Sequence, residues 1–109
     1  MEPKTPKEFL EQALPARFKS DKAAGIDVVV QLNLTGTEGG NWVVTIKDRK
    51  LMVNEGTTPS PTILLTMTKS DFMDVVNGKL GAESAFLTGK IHFKGSLSLA
   101  LKLRDTGIL

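Results

Sequence analysis

Ile26-Asp27-Val28-Val29-Val30-Gln31-Leu32-Asn33-Leu34-Thr35 decides the architecture, because every even-numbered residue in it is apolar while Asp27, Gln31, Asn33 and Thr35 are polar. A period of two is that of a strand with one buried face. Gly36, Gly39 and Gly40 then mark a hairpin loop. Beyond it Trp42, Val44 and Ile46 alternate with Val43, Thr45 and Lys47. Segments 26–35 and 41–47 are therefore predicted to pair antiparallel, with Trp42 on the covered face of the even-numbered residues.

Outward from this hairpin, Asp48-Arg49 is a short polar turn, and Leu51 and Val53 continue a third strand. Residues 56–61, with Pro59 and Pro61, read as an irregular crossing loop. Ile63, Leu65 and Met67 give a fourth strand. Thr68 can cap a helix that carries Phe72, Met73, Val75 and Val76 and stops at Gly78. A short helix over 82–87 follows, closed by Gly89, and Lys90-Ile91-His92-Phe93-Lys94 is a fifth strand with Ile91 and Phe93 on one face. On the N-terminal side, Thr5 and Glu8 fit a capping box, with Pro6 at the first helical position. Phe9, Leu10, Ala13 and Leu14 lie on one helical stripe, which Pro15 interrupts because its ring clashes with the preceding turn. Residues 20–24, before Gly25, add one short helical turn.

The last segment carries two signals. Leu97, Leu99, Leu101 and Leu103 alternate as a strand would, yet Leu, Ala, Lys and Arg are strong helix formers and Ser96 is a good N-cap. Helix is the reading adopted. Its apolar residues would sweep an arc of roughly 200°, wider than the roughly 100° stripe of a surface helix. Ser98, Lys102 and Asp105 share the remaining face, so this helix is expected to touch more than one layer.

The chain has 109 residues, the size of one domain, and residues 1–109 are read as such. Hydrophobic residues make up 40% and charged ones 24%, too apolar a mixture for disorder. A net charge of +2 is too weak for the clustered basic face that DNA requires, so no nucleic acid partner is expected. With no cysteine, disulfides and thiolate chemistry are excluded. No apolar run approaches the roughly 20 residues that span a bilayer. The start, Met1-Glu2-Pro3-Lys4-Thr5-Pro6-Lys7, has no apolar core behind its charges, and the end, Gly107-Ile108-Leu109, lacks the Ser-Lys-Leu address. The expected location is cytoplasmic.

Three stretches carry a family resemblance: Gly39-Gly40-Asn41-Trp42-Val43-Val44 with Ile46-Lys47-Asp48; Thr66-Met67, Asp71-Phe72 and Asn77-Gly78-Lys79-Leu80; and Ala85-Phe86-Leu87-Thr88-Gly89-Lys90-Ile91-His92-Phe93-Lys94-Gly95 with Leu99-Ala100-Leu101-Lys102-Leu103. From about Phe9 to Leu103 the chain resembles the sterol carrier protein type-two domain. Arg49 stands where many relatives carry Gly, and Gly81-Ala82 where they carry a polar or Pro pair. The absent Ser-Lys-Leu tail points away from the eukaryotic members and from sterol as the ligand. The resemblance implies an α+β fold, a mixed five-stranded sheet covered on one face by about five helices and enclosing an apolar tunnel. It implies a non-catalytic carrier of a fatty acid, fatty acyl-CoA, sterol-like or other apolar molecule, with no cofactor. The tunnel-lining candidates are Phe72, Met73, Val76, Leu80, Phe86, Leu87, Leu97, Leu101 and Leu103; read without the family they are plain core.

Nothing in the residue inventory suggests catalysis. His92, the only histidine, falls by alternation on the face of Lys90 and Lys94 and reads as solvated. A lone histidine between lysines makes a poor metal site, which needs three or four ligands. There is no Gly-x-Ser-x-Gly elbow and no glycine loop with nucleotide-binding spacing. Asp71 and Asp74 are explained by a helix start, where the dipole favours them. Lys79, Lys90, Lys94, Lys102 and Arg104 are either a solvated face or a contact for acidic headgroups or a coenzyme phosphate, which leaves room for a transient membrane contact. A second functional reading is an interaction or oligomerisation module that docks through the apolar C-terminal helix. Oligomeric state is open at this point.

Overall fold

Residues 4–37 and 39–104 are described by a computed structural model, the Arg104 side chain excepted. The expectations for Met1, Glu2, Pro3, Asp105 and the Gly107-Ile108-Leu109 tail lie outside the described residues. Five strands form one mixed sheet: β1 (Val28–Thr35), β2 (Gly40–Lys47), β3 (Lys50–Glu55), β4 (Ile63–Thr68) and β5 (His92–Gly95), in the order β3-β2-β1-β4-β5. The first hairpin forms in the expected sense. β1 and β2 are antiparallel with Leu32 opposite Trp42 and Val30 opposite Val44, and all four side chains are buried. The first strand begins at Val28 rather than Ile26, because the Ile26 amide is engaged with the Ala23 carbonyl at 3.1 Å in the preceding turn.

Between β2 and β3 the loop is two residues long, and Asp48 and Arg49 both adopt positive φ, 52° and 63°. This is the twist that a two-residue hairpin demands. For Arg49 it puts a side chain with a Cβ into a conformation that glycine adopts freely.

From β3 the chain crosses to β4 on the sheet face opposite the even-numbered residues of β1. The strap, residues 56–62, is pinned by the buried Gln31 side chain. Its Nε2 donates to the Gly56 carbonyl at 3.1 Å, the Trp42 carbonyl at 3.3 Å and Asn33 Oδ1 at 3.1 Å, and its Oε1 accepts from the Thr58 amide at 2.7 Å. Thr62 adds a reciprocal pair with Val29: its amide donates to the Val29 carbonyl at 2.8 Å, and its hydroxyl accepts from the Val29 amide at 3.2 Å. β4 then runs parallel to β1, and Ile63, Leu65 and Met67 share the face of Val30, Leu32 and Leu34.

Helices cover that face. Thr5 Oγ1 caps α1 (Pro6–Glu8) by accepting from the Glu8 amide at 3.1 Å. The helix continues through a π turn over Phe9–Ala13 into α2 (Leu14–Arg17). Pro15 therefore does not end the helix: the Leu14 amide reaches back to the Phe9 carbonyl, and this wider turn accommodates the ring. Phe9, Leu10 and Leu14 are buried, and Ser20–Ala23 is a 3₁₀ turn. α3 (Lys69–Val76), α4 (Ala82–Leu87) and α5 (Leu97–Arg104) complete the helical elements. Leu10, Val28, Ile46 and Ile63 are fully buried, each contributing about 1.5–3 kcal/mol.

Two substitutions test this account by urea or thermal unfolding. Gln31→Leu strips the strap of its anchor and leaves buried amide and carbonyl groups unsatisfied, so it should lower stability by about 2–4 kcal/mol. Arg49→Gly should raise it by about 0.5–1 kcal/mol by relieving the left-handed backbone. An unchanged Gln31→Leu protein would show that the strap holds without its anchor.

Candidate functional site

The nine candidate residues occupy three helices and their flanks. Thr68 Oγ1 accepts from the Asp71 amide at 3.0 Å and starts α3, as expected. That start places Phe72 and Met73 against the sheet, both buried, with the Phe72 ring edge-on to Phe9 at 5.7 Å. Val76, one turn on, is half-buried. The Lys79 and Leu80 amides both return to the Asp74 carbonyl, at 2.8 and 3.1 Å, and this tight reversal leaves Leu80 half-buried.

α4 is anchored by Ala85, which is wholly buried. Phe86 beside it is 41% exposed, and Leu87 is 75% exposed. The Phe86 ring stands edge-on to Phe93 at 6.1 Å, an arrangement aromatic pairs favour. The Ala85 carbonyl accepts from the amides of both Lys90 and Ile91. Those two amides are thus taken by the end of α4, and β5 starts at His92 rather than at Lys90.

Gly95 joins β5 to α5 with φ of 131°, and a Cβ there would come within 2.5 Å of the Thr62 carbonyl oxygen. Only glycine lets the chain turn this close to β4. Ser96 Oγ accepts from the Leu99 amide at 3.2 Å, the cap anticipated for a helical last segment. On α5, Leu103 is buried and Leu99 and Ala100 are half-buried against the core, whereas Leu97 and Leu101 are 55% and 51% exposed. The wide apolar arc is therefore covered along one side only.

Taken together, the candidates form a gradient rather than a uniform lining. Phe72, Met73 and Leu103 lie in the core, Val76 and Leu80 lie half-way, and Phe86, Leu87, Leu97 and Leu101 stand at the surface. Phe93 and Leu99 belong with them by position, although neither was among the nine; the alternation of β5 and the half-buried side of α5 are the signals that mark them. His92 is exposed and sits opposite Thr66, on the sheet face away from the helices. Among the described residues no group of three or more His, Cys, Asp or Glu side chains is placed to hold a metal. Two surface hollows, one between Ala24–Asp27 positions and the Lys47-Asp48-Arg49 turn, the other between Thr5-Pro6-Lys7 and Gly39 to Trp42, are lined by none of the nine candidates.

Comparison with known proteins gives the same answer from sequence and from fold. The SCP-2 sterol transfer family matches residues 7–106. "Hydroxysteroid dehydrogenase-like protein 2" of Bos taurus is 31% identical over 87 residues, which is 79% of this chain and 21% of that protein. The chain thus spans about a fifth of the length of that relative. Among solved structures, palmitated SCP2L2 from Aedes aegypti is 26% identical with a TM-score of 0.71, covering 94% of this chain and 93% of the other. The stereoselective inverting sec-alkylsulfatase Pisa1 from Pseudomonas sp. superimposes with a TM-score of 0.81 at 20% identity, over 94% of this chain and 16% of that one, a likeness of fold.

His92→Ala is expected to shift stability by less than about 0.5 kcal/mol, as for other solvated positions, and to leave lipid binding unchanged. A loss above about 2 kcal/mol in urea unfolding would assign the imidazole a structural partner.

Proposed function

Because this chain belongs to the SCP-2 sterol transfer family, we propose that it is a non-catalytic lipid carrier that takes a long acyl chain, as a fatty acid or fatty acyl-CoA, into an apolar tunnel between its helices and sheet. The observation that carries this reading is the apolar gradient. Large hydrophobic side chains run from Met73 and Leu103 in the core to Phe86, Leu97 and Leu101 at the surface. Burial of exposed Phe and Leu is favourable by about 25 cal/mol per Å², so a ligand chain laid along this path would supply the contacts those side chains lack. Interiors pack densely, so the tunnel opens as the chain enters, with α4 and α5 forming its mouth. The related Aedes aegypti protein was solved in palmitated form, which favours an acyl chain of that length. The process needs no nucleophile and no metal: cargo is bound by the hydrophobic effect and released unchanged.

The magnitudes allow useful affinity. A sixteen-carbon chain buries about fourteen methylenes at about 0.8 kcal/mol each. Lost freedom of ligand and side chains takes back a large share, which leaves micromolar to submicromolar dissociation as the expectation. With ligand about 100-fold above that constant, stability should rise by about 2.7 kcal/mol. Delipidated protein should therefore melt roughly 10 °C higher with palmitoyl-CoA, much less with octanoyl-CoA, and hardly at all with free coenzyme A. Phe86→Asp or Leu101→Asp should weaken the response in a protein that still melts cooperatively. Identical melting with and without long chains, together with no lipid found by mass spectrometry of the purified protein, would reject the carrier in favour of a docking module.

A further inference from the structure

Met52 is 58% exposed, and among the described residues it is the one exposed large apolar side chain that lies on a strand rather than on α4 or α5. It sits near the middle of β3, an edge strand of the sheet. The two-residue turn makes Lys47 and Lys50 the first pair of the β2–β3 hairpin, and the Gly56 amide donates to the Asn41 carbonyl at 2.9 Å. Hydrogen-bonded pairs alternate along an antiparallel ladder, so Lys50, Met52 and Asn54 turn their main-chain groups toward β2. Those of Leu51, Val53 and Glu55 point off the edge, and among the described residues no other backbone group meets them.

Sheet edges are usually blunted by shortness, proline, bulges or charge. β5, the other edge, is four residues long and carries His92 and Lys94. β3 has six residues, pairs with β2 in an unbroken register and contains no proline. Its centre, Leu51-Met52-Val53, is apolar. Such an edge accepts another strand, and its own order shows which one. Partners across an antiparallel pair share a face of the sheet, so two copies of β3 related by a two-fold axis must have that axis pass through a residue. With the axis at Met52, Met52 meets its own copy on the outer face, and Leu51 meets Val53 on the helical face, where both are half-buried. Arg49 then stands opposite Glu55, both exposed and of opposite charge. With the axis at Val53, Leu51 would face Glu55 and Arg49 would lose its partner.

We propose that β3 pairs antiparallel with β3 of a second copy of this chain about Met52, joining two five-stranded sheets into one of ten. Leu51 and Val53 exchange main-chain hydrogen bonds with Val53 and Leu51 of the other copy, and Arg49 and Glu55 close both ends as two symmetric ion pairs. The interface is isologous, so it stops at a dimer. It lies at the edge opposite β5 and does not depend on the carrier reading.

Sedimentation equilibrium of the full chain tests it. An interface this small belongs to the transient class, so dimer should build up between about 10 μM and 1 mM. Amide exchange at Leu51 and Val53 should slow over the same range. Met52→Lys puts two like charges at the axis and should weaken the dimer by at least about tenfold, with the melting temperature and its response to palmitoyl-CoA unchanged. Arg49→Glu and Glu55→Arg should each weaken it roughly tenfold, and the two together should restore most of the loss. A chain that stays monomeric to about 1 mM, or a dimer indifferent to Met52→Lys, would overturn the proposal. So would a double charge reversal no better than the single ones, or slowed exchange on α5 instead of β3.

Discussion

The whole sheet depends on carrying the chain from β3, at one edge, across β2 and β1 to β4. A parallel pair ordinarily needs a crossover of a dozen or more residues, commonly a helix. Here residues 56–62 suffice, because the strands are staggered. Glu55 ends β3 at the level of Leu32, through Trp42, while Ile63 begins β4 opposite Val30. The chain must retreat only slightly along the strands, and the lateral step is about 14 Å at usual strand spacing. Such a short strap has no ladder of its own. Gln31 supplies one in miniature, with donor and acceptor both engaged by the strap, and Thr62 then passes the chain to Val29. A primary amide suits the position because it donates and accepts from one rigid plane.

Once β4 lies beside β1, the remaining elements have few choices. Residues Ile63, Leu65 and Met67 extend the apolar face begun by the first hairpin, and α3 must turn back over it. β5 closes the edge, with Gly95 opposite Ile63, at a separation that excludes a Cβ. α5 leaves from that point and brings Leu103 into the core. The exposed apolar groups are a by-product of this geometry: α4 and α5 bury Ala85 and Leu103, Leu99 is half-buried against the core and Phe86 meets Phe93, while Leu87, Leu97 and Leu101 stay exposed. In the proposed carrier, an acyl chain would supply the contacts that these exposed side chains lack.

Much of this was legible in the chain itself. Strand faces followed from alternation: Trp42 lies with Leu32 and Val30, and Phe93 with Leu65. Helix starts followed from Thr5, Thr68 and Ser96, each of which does accept the amide expected of a cap. These signals are local, carried by residues two to four positions apart, so they survive in sequence. Pro15 was misleading for the same reason. Its ring does oppose an α-helical turn, but burial of Phe9, Leu10 and Leu14 against the sheet holds the segment helical through a wider turn.

What only the tertiary structure decided concerns contacts distant along the chain. Nothing near Gln31 marks it as the anchor of a strap some 25 residues away, since it reads as one more polar residue on an outward face. Likewise Leu97, Leu99, Leu101 and Leu103 are alike in sequence, yet Leu103 is buried and Leu97 and Leu101 are not. The sequence by itself determined which faces are apolar, because side-chain periodicity is a property of the backbone. Which of those faces would find a partner depended on strand stagger, strap length and the angle at Gly95, and these exist only after the sheet has closed.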